Sequence, residues 1–111
     1  MDRLKSKRKR PELIIQEAII TMLLRKDWFV KHITGNAYNK GWPDLYCSHS
    51  KYGIRWVEVK NPKAFSFTTA QLDQFPKMVA NGSPIWILVA GTEEEYAKLF
   101  KPCNWYVYLS L

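Results

Sequence analysis

Acidic residues are few in this chain: ten Asp and Glu stand against seventeen Lys and Arg, a formal net charge of +7 that suggests a polyanionic partner. Cysteine is scarcer still. Cys47 and Cys103 are too few for a disulfide framework and lack CxxC spacing, so neither a secreted scaffold nor a zinc site is indicated. The two histidines, His32 and His49, stand apart without an HExxH motif or a His/Cys cluster, so a zinc hydrolase and a nucleophilic triad both lack parts. No apolar run approaches the ~18 to 20 residues of a membrane span, and no apolar signal core follows the charged N-terminus. A cytoplasmic protein with no membrane association is expected.

What the chain does have is one domain's worth of core. Its 111 residues are 47% hydrophobic and 14% aromatic, with Trp28, Trp42, Trp56, Trp86 and Trp105 spread along the length. The positive charge is less evenly spread. Residues 1–10 carry Arg3, Lys5, Lys7, Arg8, Lys9 and Arg10 against Asp2, a net +5, which leaves only +2 for the rest. We therefore divide the chain into a basic tail (1–10) and a single folded domain (11–111). Such a tail is either a solvated leader or an arm that grips phosphates. In the second case Lys5, Lys7, Arg8, Lys9 and Arg10 are nucleic-acid contacts, and binding is salt-sensitive.

The pattern predicts a largely buried helix in "RPELIIQEAIITMLLRKD", with Pro11 at its start. On the helical wheel Glu17 falls between Leu13 and Leu24, away from Gln16, a carboxylate among apolar neighbours. "WFVKHIT", "DLYCS" and "IRWVEVK" read as strands, the last two joined by a turn at "HSKYG". "TTAQLDQFPKMVANG" reads as a helix that Pro76 should kink or shorten, with Thr68 and Gln71 in capping-box spacing. "SPIWILVAG" reads as a buried strand, "TEEEYAKLF" as a short helix and "NWYVYLSL" as a final strand. The expected fold is α/β, a mixed sheet flanked by helices in the order αβββαβ, with αβ following.

One short region carries chemistry. In "IRWVEVK", Val57 and Val59 fill the alternate positions of a buried strand, and Glu58 and Lys60 share the opposite face. If "DLYCS" and "IRWVEVK" form a hairpin centred on Lys51, residues whose numbers sum to 102 lie opposite one another, and Asp44 faces Glu58. Opposed Cβ atoms are ~4.5 to 5.5 Å apart. Two carboxylates that close repel unless a proton or cation lies between them, and oxygen ligands with open water positions select a divalent metal such as Mg2+. Asp44, Glu58 and the Val59 main-chain carbonyl are the candidate ligands. Lys60 is placed to hold or deprotonate an attacking water and to neutralise a phosphorane, which makes phosphodiester hydrolysis the expected chemistry. An ExK taken alone is common and carries little. Its position at the end of an apolar strand, after a Pro-Asp corner, gives it weight.

"PDLY" with Asp44, followed by "EVK" with Glu58 and Lys60, resembles the PD-(D/E)xK nuclease superfamily, whose fold is the restriction endonuclease-like αβββαβ core. The corner of Gly41, Pro43 and Asp44, the "WVEVKNP" strand and Gln71 in the following helix resemble its VRR-NUC branch. The resemblance covers roughly Glu12 to Gly91. It implies Mg2+-dependent DNA cleavage, with Mn2+ able to substitute, catalysed by Asp44, Glu58, Lys60 and Gln71. It further implies that Glu17 supports the metal directly or through water. The small stand-alone members imply a homodimeric resolvase of four-way (Holliday) junctions. Lys63, just beyond the strand, joins the tail cations as an expected nucleic-acid contact. The competing expectations are a less selective nuclease or nickase, a catalytically idle nucleic-acid-binding module, and a purely structural interaction protein working through its aromatic C-terminus.

Overall fold

In a computed structural model of the chain, described at residues 10–34, 39–64 and 66–109, the core has the order αβββαβ. Helix α1 (Pro11–Arg25) leads into strands β1 (Phe29–His32), β2 (Leu45–His49) and β3 (Gly53–Val59). Helix α2 (Thr69–Ala80) then crosses to β4 (Ile85–Leu88). A short α3 (Glu93–Ala97), a 3-10 turn (Lys98–Phe100) and a last helix α4 (Trp105–Leu109) follow. The sheet is ordered β1-β2-β3-β4, antiparallel in its first two pairings and parallel in β3–β4, hence mixed. In the β2–β3 hairpin Leu45 pairs with Val57 and Tyr46 with Trp56, the register centred on Lys51 that the sequence predicts.

Each face of the sheet buries its own apolar set. On one face Leu45, Cys47, Val57, Val59 and Leu88 pack against Ile19, Met22 and Leu23 of α1. On the other, Ile85 and Ile87 pack with Phe75 and Met78 of α2 and Trp105 of α4. Alternation along β3 produces this split, because Val57 and Val59 turn one way while Trp56 and Glu58 turn the other.

Helix α1 starts at Pro11 and buries Gln16, Ile19, Met22 and Leu23. Leu13, Ile14 and Leu24 are exposed, so its apolar residues encircle it rather than mark one side. Helix α2 is held at its start by a full capping box: Thr68 Oγ1 accepts from the Gln71 N–H, and Gln71 Oε1 accepts from the Thr68 N–H. Contrary to the sequence expectation, Pro76 does not cut this helix to short turns. Phe75 and Met78, on either side of it, are buried and anchor the segment. Pro76 itself is exposed, and so is Leu72, whose carbonyl would otherwise receive the missing N–H.

The C-terminus corrects a second expectation. "NWYVYLSL" forms helix α4 and not a strand. A fifth strand would need free backbone groups on the outer edge of β4, and side chains already occupy them. Asn104 Oδ1 accepts from the Ile87 N–H at 2.6 Å while its Nδ2 donates to the Ile87 carbonyl, and Glu95 Oε1 accepts from the Val89 N–H. With that edge closed, Trp105 turns inward to meet Phe67 and Phe75 edge-on.

Candidate active site

Asp44, Glu58, Lys60 and Gln71 meet where the β2–β3 hairpin ends and α2 begins. The approach depends on Gly41, whose φ of +79° favours glycine and whose position leaves no room for a side chain. A Cβ there would lie 2.6 Å from the Ala70 carbonyl oxygen, so only glycine lets the Gly-Trp-Pro-Asp corner rest on the first turn of α2. Asp44 follows, tied by its carbonyl to the Ile33 N–H at 2.7 Å.

Side chains complete the hairpin just beyond its last backbone pair, Leu45 with Val57. The Asp44 N–H donates to Glu58 Oε1 at 3.1 Å, and the Val59 N–H donates to Asp44 Oδ2 at 2.8 Å. The two acids therefore stand face to face, each holding the other's strand. Gln71 joins the group from α2: its Nε2 donates to Glu58 Oε2 at 2.7 Å, and its Oε1 accepts from Lys60 Nζ at 3.1 Å. The amide that closes the capping box thus also bridges the carboxylate and the ammonium. Lys60 Nζ has two further partners, the Ser66 carbonyl at 2.7 Å and Glu58 Oε2 at 3.1 Å, and it lies over the Phe67 ring. Three acceptors match its three donors.

Burial sets the electrostatics. Glu58 is 2% exposed and Lys60 4%. Burial pushes the Glu58 carboxyl up to about 8, with the charge of Asp44 adding to the rise and Lys60 opposing it. Asp44 is also raised, first by burial and then by the nearby Glu12 carboxylate, against the pull of the Val59 N–H and Lys60. All three contacts on Glu58 come from donors, the pattern of an ionised carboxylate, yet these donors only partly offset its burial. A site with two acids raised in this way is short of positive charge.

Asp44 lies where two cavities meet. One, of about 310 Å3, is lined by Arg10, Glu12, Gln16 and His32 together with Asp44. The other, of about 680 Å3, is lined by Lys40, Trp42, Asp44, Gln71 and the first turn of α2. Glu58 and Lys60 are buried, but Asp44 and Gln71, both hydrogen-bonded within the Glu58 group, line the larger cavity.

The structure does not bring Glu17 to this group. Glu17 is exposed, whereas Glu12 and Gln16 turn toward Asp44. The reason is the apolar ring around α1: Leu13 and Leu24, which define a buried side on the wheel, face outward. The buried stripe runs through Gln16, Ile19 and Leu23, and Glu12 lies one turn before Gln16. Polar residues spaced by four in line with Ile19 and Leu23 were the available signal for Glu12 and Gln16. His32 offered none, since only the pairing of its neighbours places it beside Asp44. Arg10 lines the same cavity, and Lys63 is exposed beyond β3. Lys5, Lys7, Arg8 and Lys9 lie outside the described residues.

The donor set can be tested against a metal. Among the described residues no three Asp, Glu, His or Cys side chains cluster closely enough to hold an ion, so a zinc or calcium cage is not on offer. Two facing carboxylates short of positive charge do fit Mg2+, which keeps several waters and takes one or two protein carboxylates. Asp44 Oδ1, to which no described residue donates, is the natural point of entry.

No family model and no curated protein matches the sequence. A solved structure described as a VRR_NUC domain does match, with a TM-score of 0.67 over 84% of this chain and 98% of its own length, at 16% identity. The chain has the VRR_NUC fold. Helix α1, the β1–β3 meander, the α2 crossover and β4 make up the restriction endonuclease-like αβββαβ core of that fold. The roles of individual side chains in this VRR_NUC-like domain rest on their geometry. Among the described residues no helix is long and apolar enough to cross a membrane.

Proposed function

We propose that this protein is a metal-dependent DNA endonuclease that hydrolyses phosphodiesters at Asp44, Glu58 and Lys60. The observation that carries the reading is the meeting of two raised, facing carboxylates with a buried lysine beside a cleft that Asp44 and Gln71 line. Asp44 also holds the Val59 N–H, but a neutral acceptor would do that without raising the charge that Lys60 must balance.

Asp44 and Glu58, with the Val59 carbonyl, would hold Mg2+ or Mn2+, which supplies an activated water and stabilises charge on the phosphate. The protein's own groups do the rest. Gln71 fixes the Glu58 carboxylate and the Lys60 ammonium relative to each other. Lys60 Nζ is fully paired, so it reaches a water or phosphate oxygen only by exchanging one of its three acceptors. The Glu58 contact at 3.1 Å is the one a cation would compete for. The first turn of α2, with Thr68 and Thr69 on the cleft, favours an anion there through its backbone N–H groups. Arg10 and Lys40 border the two cavities, Lys63 is exposed beyond β3, and the basic residues of the sequence's N-terminal tail would add phosphate contacts.

The substrate we favour is branched DNA, a four-way junction cut by a symmetric homodimer. One small domain offers one site, resolving a junction takes two incisions, and a two-fold dimer presents two sites to a nearly two-fold substrate. Helix α4 offers a contact surface, with Tyr106, Val107 and Leu109 all exposed. The deciding experiment incubates the purified protein with labelled four-way junction, flap, bulge and linear duplex of one sequence, in Mg2+, Mn2+ or chelator. Paired incision of the junction supports this reading, and equal nicking of all four substrates by a monomer favours a less selective nuclease.

A further inference from the structure

The face of the sheet that carries Glu58 continues, away from the acids, as a row of aromatic rings that, among the described residues, meets the α2 and α4 core only at Trp56. Helices α2 and α4 pack on this face mainly over β4, and among the described residues Phe29 of β1 stays largely exposed while Tyr46 of β2 is half-buried. Trp42 and Trp56 meet at 5.3 Å between ring centroids, Trp56 and Tyr46 at 5.2 Å, and Tyr46 and Phe29 at 6.3 Å. Phe29 is 60% exposed, Ile54 53% and Trp42 37%, a large apolar surface for so small a domain.

Register ties this row to the site. Tyr46 is two residues beyond Asp44 on β2, and Trp56 is two residues before Glu58 on β3, so both pairs share one face with a spacing of ~6.6 Å along each strand. Lys31 pairs directly with Tyr46 and is exposed at the end of the row. Lys31 also borders a cavity beside Trp42, and Lys40 borders the cleft on its other side. The segments β1, β2 and β3 present no carboxylate on this face other than Asp44 and Glu58.

We infer that this row is a stacking platform for bases that open at the branch point of the DNA being cut, so that the protein binds unpaired nucleotides next to the scissile phosphate more tightly than blunt duplex. The inference rests on the proposed nuclease activity and names the part of the substrate that reads it. Rings at these intervals, open on one side and flanked by ammonium groups, match bases and their phosphates. A self-associating patch would gain nothing from Lys31 beside Tyr46, where the two-fold copy would bring a second lysine close by. Stacked bases need aromatic faces without sequence-reading groups, and this row supplies them.

The test is binding of a fluorescein-labelled oligo-dT and of a blunt duplex of equal length to the full chain in chelator, which prevents cleavage. Wild type is compared with Phe29→Ala, Trp42→Ala and Trp42→Phe. Both alanine variants are expected to bind oligo-dT about 5- to 150-fold more weakly, with duplex binding changed far less and Trp42→Phe close to wild type. Thermal melting identifies any variant that has lost its fold, and Phe29, the most exposed of the rings, carries the test if Trp42→Ala unfolds. Unchanged oligo-dT affinity in folded Phe29→Ala and Trp42→Ala overturns the inference. Light scattering in which Phe29→Ala turns a dimer into a monomer, with oligo-dT binding intact, assigns the face to a second copy and also overturns it. Junction cleavage without ring-dependent oligo-dT binding leaves the nuclease and removes the platform. Ring-dependent binding without cleavage of any substrate does the reverse.

Discussion

Gln71 separates a helix cap from a working site, and two substitutions tell them apart. The side chain closes the α2 capping box through its Oε1 contact to the Thr68 N–H, a role that glutamate fills at least as well. It also donates to Glu58 Oε2 at 2.7 Å and accepts from Lys60 Nζ at 3.1 Å, both of them buried. Gln71→Ala leaves a buried carboxylate and a buried ammonium one partner short each. With ~1.5 to 3 kcal/mol per hydrogen bond to a charged group, partly recovered by relaxation, the loss is about 2 to 4 kcal/mol. Gln71→Glu keeps the cap but sets a third carboxyl against Glu58. Protonated, its O–H replaces the lost amide donor; ionised, it repels. Its folded pKa is therefore raised above the unfolded value, so its stability is fully present below about pH 4.3 and is lost as pH rises through the folded value. At ~1.4 kcal/mol per pH unit for one proton, the deficit relative to wild type should grow by about 2 to 4 kcal/mol between pH 5 and pH 8. Urea denaturation in chelator at both pH values measures it. A Gln71→Glu protein as stable as wild type at pH 8 would reduce Gln71 to a cap and refute the bridge.

The raised Glu58 predicts the pH response of the protein itself. Its carboxyl titrates near 4.5 when unfolded and about 8 when folded, so the metal-free protein should lose stability as pH rises from about 5 to 8. Saturating Mg2+ should restore it at pH 8, and melting curves flat in pH with and without Mg2+ would contradict this. Gly41→Ala, strained at φ +79° and aimed at the Ala70 carbonyl, should cost about 2 to 3 kcal/mol and most of the cleavage rate by displacing Asp44. Equal stability in urea would mean that the corner does not depend on its contact with α2. Deleting residues 1–10 should weaken DNA binding and flatten its dependence on salt while leaving the cleavage pattern unchanged. An unchanged slope would make the tail a solvated leader.

Much of the fold was legible because strand alternation and turn position reinforce one another. Val57 and Val59 set the buried face of β3, the turn after His49 set the register, and together they placed Asp44 opposite Glu58. Three features were hidden for physical reasons. The β-branched and aromatic run after Asn104 favours a strand locally, but a strand needs a free edge, and only the fold reveals that Asn104 and Glu95 have filled it. Pro76 reads as a helix breaker because its exposed placement is a tertiary fact. Glu17 reads as a carboxylate among apolar neighbours because α1 carries apolar residues on its exposed side as well, which erases the stripe that would orient the wheel.

The central claim is that Asp44, Glu58 and Lys60 form a hydrolytic site, and single-turnover cleavage of a labelled four-way junction tests it most directly. Wild type, Asp44→Asn, Glu58→Gln and Lys60→Ala are each assayed in Mg2+ and in chelator, with junction binding measured alongside. The account predicts cleavage by wild type only with metal. It predicts none by Asp44→Asn or Glu58→Gln at near-normal junction affinity, and a large loss of rate for Lys60→Ala. Cleavage at the wild-type rate by folded Asp44→Asn or Glu58→Gln, or wild-type cleavage undiminished by chelator, would contradict it.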